Sequence, residues 1–216
     1  MAGPSAAVHM DQMYRRQRLI YDATRAYYLL GRNQLIRELN AGPGTTVLEI
    51  ACGTARNLLL AADSYPGAKL YGVDISSEML TTARASVAKS RHSERIKLDL
   101  ADATSFDSKA LFGFETADRV FISYALSMIP PWEAALDEAL RHVGPGGSLH
   151  IVDFGCMDRM PPPARKFMVA WLAKFDVTPR RDLEEVCKAA AVRHGVSCTF
   201  RQSARGYWSS VVMKRA

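Results

Sequence analysis

Apolar runs with the period of strands and stretches with the period of helices take turns along most of this chain. From residue 43 onward the pattern predicts strand 46–50, helix 56–63, strand 69–73, helix 77–89, strand 95–100, a helical turn near 107–111 and strand 118–123. Helix 132–142, strand 148–153, helices 163–175 and 181–194, and strands 197–202 and 207–214 follow. Such alternation predicts an α/β fold, a doubly wound sheet with crossover helices. Only Ser203, Ala204, Arg205 and Gly206 separate the last two strands. A link that short makes a hairpin and forbids a crossover, so the last of seven strands is expected to run antiparallel. Ser76-Ser77-Glu78 reads as a polar helix start, and Gly144-Pro145-Gly146-Gly147 as a turn before the fifth strand.

Ahead of this unit, residues 1–9 are small and polar, and Met10 to about Asn40 reads as helix interrupted at Gly31. Tyr14, Tyr21 and Tyr28 recur every seven residues, and Arg18, Arg25 and Arg32 stand four after each. An ideal helix drifts only ~20° per heptad, so the six share one stripe. Two accounts are open: tyrosines packed on the domain with arginines at solvent, or a ladder lining a pocket for a substrate with a carboxylate and an amine. Met13, Ile20, Ala23 and Tyr27 form the adjacent apolar face. The loop Ala41-Gly42-Pro43-Gly44 divides the chain into an N-terminal helical cap, 1–42, and a main domain, 43–216, with a helical insertion at about 155–180.

The first strand holds the chemistry. Val47-Leu48-Glu49-Ile50 runs into Ala51-Cys52-Gly53-Thr54-Ala55 and opens onto a helix, so backbone N–H groups and little bulk face whatever lies above. Twenty-five residues past Glu49, the run Lys69 to Val73 ends in Asp74, the spacing of an acidic residue that holds a ribose. Only Gly53 of three fingerprint glycines is present, and no Gly-Lys-Ser/Thr ending exists, which excludes the dinucleotide and P-loop readings. Glu49 would repel a phosphate and attract an ammonium. A nucleoside with a cationic amino-acid tail satisfies these constraints.

The loop resembles the first motif of class I S-adenosylmethionine-dependent methyltransferases, whose fold is Rossmann-like, with alanines at 51 and 55 where glycines are expected. If position 51 requires a positive φ, alanine costs roughly 1 kcal/mol there. The resemblance implies S-adenosyl-L-methionine as cofactor, held by Glu49, Ala51, Cys52, Gly53, Thr54 and Asn57. It assigns the ribose to Asp74 with Ile75, and the adenine amino group to Asp102 with Thr104. Ala103 and Met79 would flank the ring, and Ser123 lies at the end of strand four. Asp74 could alternatively start a helix and Asp102 form a turn; Asp153 reads as structural. Methyl transfer to nitrogen needs alignment and a neutral amine, with no oxyanion to stabilise. Tyr14, Tyr21 and Tyr124 are the candidates for taking the amine proton or facing the cation formed.

Composition narrows the partners. The 216 residues carry a formal charge of +6 and a pI near 9.2, which suits an anionic partner. No run approaches the ~20 apolar residues of a spanning helix, and Met1 to Met10 does not read as a signal peptide. Cys52, Cys156, Cys187 and Cys198 are scattered; His194 with Cys198 is half a metal site, so no metal is expected. The Asp/Asn-Pro-Pro-aromatic signature of enzymes methylating bases is absent after strand four, which argues against nucleic acid. Met168, Trp171, Leu172 and Phe175 form a helical stripe beside Arg165, Lys166 and Lys174; it packs on the domain or dips into a membrane.

Two stretches are more specific. Met13 to Asp22, running on through Tyr27 to Arg32, is one; Val120 to Pro130, with His150 to Gly155, is the other. With Phe175 to Arg180 they resemble the diacylglyceryl-homoserine N-methyltransferases of betaine-lipid synthesis. The resemblance implies three methylations of a lipid head-group amine, with Arg18, Arg25, Tyr28 and Arg32 binding substrate. It implies a cytoplasmic enzyme peripheral to the inner face of a membrane. Phosphatidylethanolamine, a soluble amine, or a non-catalytic membrane-associated role are the alternatives.

Overall fold

The computed structural model describes residues 29–203 and 205–216. Seven strands form one sheet: β1 (Thr46–Ile50), β2 (Lys69–Asp74), β3 (Ile96–Leu100), β4 (Ala117–Ser123), β5 (Val143–Phe154), β6 (Val196–Gln202) and β7 (Trp208–Arg215). Their order is β3-β2-β1-β4-β5-β7-β6. Neighbours from β3 through β5 are parallel, and β7 is antiparallel to both β5 and β6, as the four-residue link requires. Seven helices accompany them among the described residues: α1 (Arg32–Glu38), α2 (Arg56–Ser64), α3 (Ser77–Ala88), α4 (Ser108–Phe112), α5 (Trp132–Arg141), α6 (Pro162–Ala173) and α7 (Leu183–His194).

Strand alternation sends neighbouring residues to opposite faces, and both faces are buried. Val47, Leu70 and Phe121 join Leu35 of α1, Leu58 of α2 and Leu80 of α3 in one cluster. Leu48, Val120 and Ile122 join Leu136 and Leu140 of α5 and Cys187 of α7 in the other. Leu35, Ile36 and Leu39 are buried in the first cluster, so residues 29–42 pack into the same core as the domain they precede. The strand order reverses between β1 and β4, and the crevice beyond their carboxyl ends is where open α/β sheets bind ligands.

One local feature agrees with the sequence expectation and two differ from it, each with a physical cause. At Gly31, where an interruption is expected, φ is 86°, and α1 starts at Arg32. A Cβ on Gly31 would stand 3.1 Å from the Trp208 ring and from Val152, so only glycine lets the chain turn this close to β7. Residues 144–147 are not a turn ahead of β5 but a bulge within it: Ala117 pairs with Val143, yet Arg119 pairs with Ser148. The strand from Ile96 is preceded by a 3-10 turn, Ser93–Arg95, whose last guanidinium donates to the carbonyls of Ala62, Tyr65 and Ala68.

His150 on β5 is buried, with Nε2 2.9 Å from Ser148 Oγ. Burial pushes its pKa down to about 4, and the charges of Arg119 and Lys214 act in the same direction. The folded protein therefore keeps His150 neutral between pH 6.5 and about 4, while the unfolded chain binds a proton in that window, so stability falls as pH falls through it. Denaturant titrations are expected to lose about 2 kcal/mol between pH 7 and pH 5 to this group, and His150→Asn to remove that part of the slope.

Candidate active site at the strand-order reversal

The turn after β1 is built from left-handed residues. Ala51, Gly53 and Ala55 have φ of 57°, 55° and 62°. Cys52 N–H donates to Val73 (2.9 Å) and Ala55 N–H to Cys52 (3.0 Å), which closes the turn before α2 begins at Arg56. The Asp74 carboxylate fastens it from the next strand, accepting from Gly53 N–H (2.7 Å) and from Ser76 N–H (2.9 Å). Asp74 thus also serves the start of α3, where Ser76 Oγ accepts from Met79 N–H.

Alanine in a left-handed conformation costs roughly 1–2 kcal/mol, against about 0.4–1 kcal/mol gained by restricting the unfolded chain relative to glycine. Ala51→Gly is therefore expected to stabilise the protein by about 0.5–1 kcal/mol in denaturant unfolding. Ala55→Gly should gain less, because the Ala55 methyl is fully buried in the core and its removal leaves a void.

Glu49 projects from the buried end of β1. Its Oε1 accepts from Asn57 Nδ2 (2.7 Å). Among the described residues Oε2 has no hydrogen-bond partner, and neither has Asn57 Oδ1 or Ser123 Oγ, although all three atoms are buried. They line a recess of about 50 Å³ together with Arg32, Ala51, Cys52, Gly53 and Thr54. Burial pushes the Glu49 pKa well up, and the Asp74 charge adds to this; the Asn57 hydrogen bond and the Arg32 charge oppose it. Leaving buried oxygens unsatisfied costs about 1–3 kcal/mol each, which a ligand ammonium with three donors would recover.

The recess shares Ala51, Gly53 and Ser123 with a cavity of about 470 Å³. Asp74, Ile75, Met79, Asp102, Ala103 and Thr104 line one part of it. Asp102 Oδ1 accepts from Thr104 N–H (2.9 Å) and Thr104 Oγ1 (2.7 Å), so this carboxylate shapes a turn while facing the cavity. The structure thus brings together, on two adjoining spaces, every residue that the sequence assigned to the cofactor. Asp153 lies outside both and accepts from Ser127 N–H (3.0 Å) and Phe154 N–H (2.7 Å).

The residues assigned to substrate fare differently. Tyr14, Arg18, Tyr21, Arg25 and Tyr28 lie outside the described residues. Arg32 is buried and lines the small recess beside Glu49, at the cofactor's end and not on an open substrate face. The Tyr124 ring borders the cavity, edge-on to Phe154, but its hydroxyl donates to the Leu30 carbonyl. Burial raises its pKa beyond the ordinary tyrosine range, so the expectation that Tyr124 takes the amine proton is corrected: the phenol stays neutral and already committed as a donor.

The rest of the lining was not assigned to the site from the sequence. Met128, Ile129, Pro130 and Pro131 line the same cavity together with Asp176, Thr178 and Arg180. Thr178 N–H donates to Ser127 (2.9 Å), Arg180 Nε to Leu126 (3.0 Å) and Nη2 to Ile129 (2.7 Å), which stitch the two segments together. Arg180 is the one cationic side chain lining this cavity among the described residues. The only signal in the sequence was indirect: these walls are two of the stretches that carry the family resemblance.

With the recess beside Glu49 adjoining a cavity lined by Asp74 and Asp102 at the strand-order reversal, the class that this sheet defines is the class I methyltransferase domain. A protein-family profile described as "Methyltransferase domain" matches residues 47–147. Over 143 residues the chain is 32% identical to a demethylmenaquinone methyltransferase of Symbiobacterium thermophilum, covering 64% of this chain and 53% of that one. It is 35% identical over 120 residues to a ubiquinone/menaquinone biosynthesis C-methyltransferase of Syntrophotalea carbinolica, covering 55% and 48%. The chain spans about half the length of the curated relatives it matches. Among solved structures, a phosphoethanolamine N-methyltransferase of Haemonchus contortus, in complex with phosphomonomethylethanolamine and S-adenosylhomocysteine, superposes with a TM-score of 0.69 at 16% identity. That match covers 86% of this chain and 52% of the other, and it shows the shared fold. The cofactor of this domain is S-adenosylmethionine.

Among the described residues no three His, Cys, Asp or Glu side chains are grouped to hold a metal, and His194 instead pairs with Asp137 (3.0 Å). No helix of the described residues is long and apolar enough to cross a membrane.

Proposed function

We propose that the protein methylates the amine of a diacylglyceryl-homoserine head group three times, yielding a trimethylated betaine lipid, from the cytoplasmic side of a membrane. The observation that carries this reading is the part of the cavity lining formed by Met128 to Pro131 with Asp176, Thr178 and Arg180: largely apolar, with Arg180 as its one cation among the described residues. A lipid head group bearing a carboxylate near its amine fits that lining, with the carboxylate on Arg180 and the glyceryl portion along Met128, Ile129 and Pro130. The sequence resemblance over Val120 to Pro130 and Phe175 to Arg180 supports the same assignment.

In this reading Glu49 and Asn57 hold the donor's ammonium, Arg32 offers its charge to the tail carboxylate, and Asp74 and Asp102 take the ribose and the adenine amino group. The bound donor supplies a methyl group on a sulfonium. The head-group amine first gives its proton to solvent at the cavity mouth, because an ammonium has no lone pair. Transfer of that methyl to the amine's lone pair would leave the positive charge on nitrogen and the donor as a neutral thioether. The site therefore has to align the groups and exclude water, and alignment supplies most of the acceleration. The Tyr124 ring face is suited to the cation that results.

A second reading follows from the curated relatives' names: methylation of a demethylmenaquinone ring carbon, also a lipid substrate suited to an apolar wall. Purified protein with labelled donor separates them. Vesicles containing diacylglyceryl-homoserine are expected to yield mono-, di- and trimethylated lipid, with no label in demethylmenaquinol, phosphatidylethanolamine or soluble amines. Label in the quinol and none in the homoserine lipid would overturn the proposal.

A further inference from the structure

Helix α6 carries two apolar sets of residues, and only one of them is used inside the protein. Leu172 is buried, and Met168, Trp171 and Phe175 pack against the same core cluster. Of the two readings that the sequence leaves open for this stripe, packing on the domain is the one observed. Phe167, four residues before Trp171 and so about 40° from it around the helix, is nevertheless 70% exposed. At roughly 100° per residue, Pro163, Ala170 and Lys174 fall within about 60° of Phe167 on the side away from Trp171, with Lys166 about 100° and Ala173 about 120° round in the same direction. All five are exposed. Between Arg159 and Lys174 the chain has four cations, Arg159, Arg165, Lys166 and Lys174, and no acidic residue.

We propose that this face of α6 docks the protein on an anionic bilayer surface, with Phe167 among the head groups and Lys166 and Lys174 against lipid phosphates. An exposed phenylalanine with lysines beside it, on a helix whose own residues Pro162–Ala173 include no acid, is complementary to such a surface. Position adds a second argument. Past the end of α6 at Ala173, Lys174 and Phe175 lead to Asp176, which begins the segment whose Thr178 and Arg180 line the large cavity. A bilayer under α6 therefore meets the chain beside the cavity wall, where a lipid head group has to enter. The inference rests on the lipid-substrate reading for its purpose, and its test does not use that substrate.

Flotation with vesicles of phosphatidylcholine and phosphatidylglycerol, free of any homoserine lipid, measures the docking directly. The wild-type protein is expected to float, and to be released as salt is raised. Phe167→Ser should weaken partition about ten-fold and Lys166→Glu with Lys174→Glu about a hundred-fold at low salt. Val192→Ser, which alters a residue 84% exposed on α7, should leave it unchanged. S-adenosylhomocysteine affinity, unchanged in all variants, reports that each is folded. A wild type that stays in solution, variants that float as the wild type does, or a Phe167→Ser protein that loses self-association instead of vesicle binding each overturn the proposal. If flotation depends on Phe167 but homoserine lipid is not methylated, the docking surface stands and the substrate assignment falls.

Discussion

Glu49→Gln is expected to weaken S-adenosylhomocysteine binding at least about a hundred-fold while making the ligand-free protein more stable. The two effects have one cause. Glu49 is buried, its Oε2 has no partner among the described residues, and burial pushes its pKa well above the usual carboxylate range. An acid whose folded pKa is raised holds its proton in the native state after the unfolded chain has released it, so it costs stability increasingly as pH rises above 4.5. Glutamine keeps an oxygen for Asn57 Nδ2, can donate to Asn57 Oδ1, and carries no charge to desolvate. Against this, removing one partner of a buried charge pair costs about 2–5 kcal/mol, and a hundred-fold is about 2.7 kcal/mol. Thermal melts should thus show a higher midpoint for Glu49→Gln without ligand and little further rise with it, and calorimetric titration should give the loss of affinity. Unchanged affinity would remove Glu49 from the ammonium site. A lower midpoint without ligand would show that the carboxylate is needed by the fold itself.

That the residues assigned to the cofactor would meet was legible in the sequence because they are local. Glu49, Gly53 and Asn57 lie within nine residues, and Asp74 and Asp102 stand at the ends of the next two strands, so strand pairing alone brings them together. The rest of the cavity lining is different in kind. Arg180 sits in a segment with no glycine signal and no helical or strand period, and it reaches the site only through carbonyls of a loop some fifty residues earlier. Periodicity picked out the Met168, Trp171, Leu172 and Phe175 stripe of α6 but could not say whether it packs on the domain or meets a membrane, since that is decided by its neighbours and not by its chemistry. Tyr124 is a similar case: a left-handed backbone, φ 55°, places its ring by the cavity and its hydroxyl at Leu30. None of these follows from residue type, because each is decided by a partner distant in the chain.

Arg180→Lys is expected to lower kcat/KM for diacylglyceryl-homoserine by about a hundred-fold or more, mostly through KM, with S-adenosylhomocysteine affinity little changed. The guanidinium gives Nε to Leu126 and Nη2 to Ile129 and stands over the Trp132 ring, 5.9 Å from its centroid. With five N–H donors, it retains enough to grip a carboxylate after both carbonyls are served. A lysine ammonium has three donors and no plane, and cannot hold the two carbonyls and orient a carboxylate together. Because the same residue braces the loop after β4, lost activity alone would not distinguish substrate binding from loop support. The head-group methyl ester, which lacks the carboxylate charge, makes the distinction. Wild-type protein should prefer the free acid over the ester by about 2–3 kcal/mol in kcat/KM, and Arg180→Lys should lose most of that preference. An Arg180→Lys enzyme that declined equally on acid and ester would place the residue in the frame of the cavity and leave the carboxylate to another group.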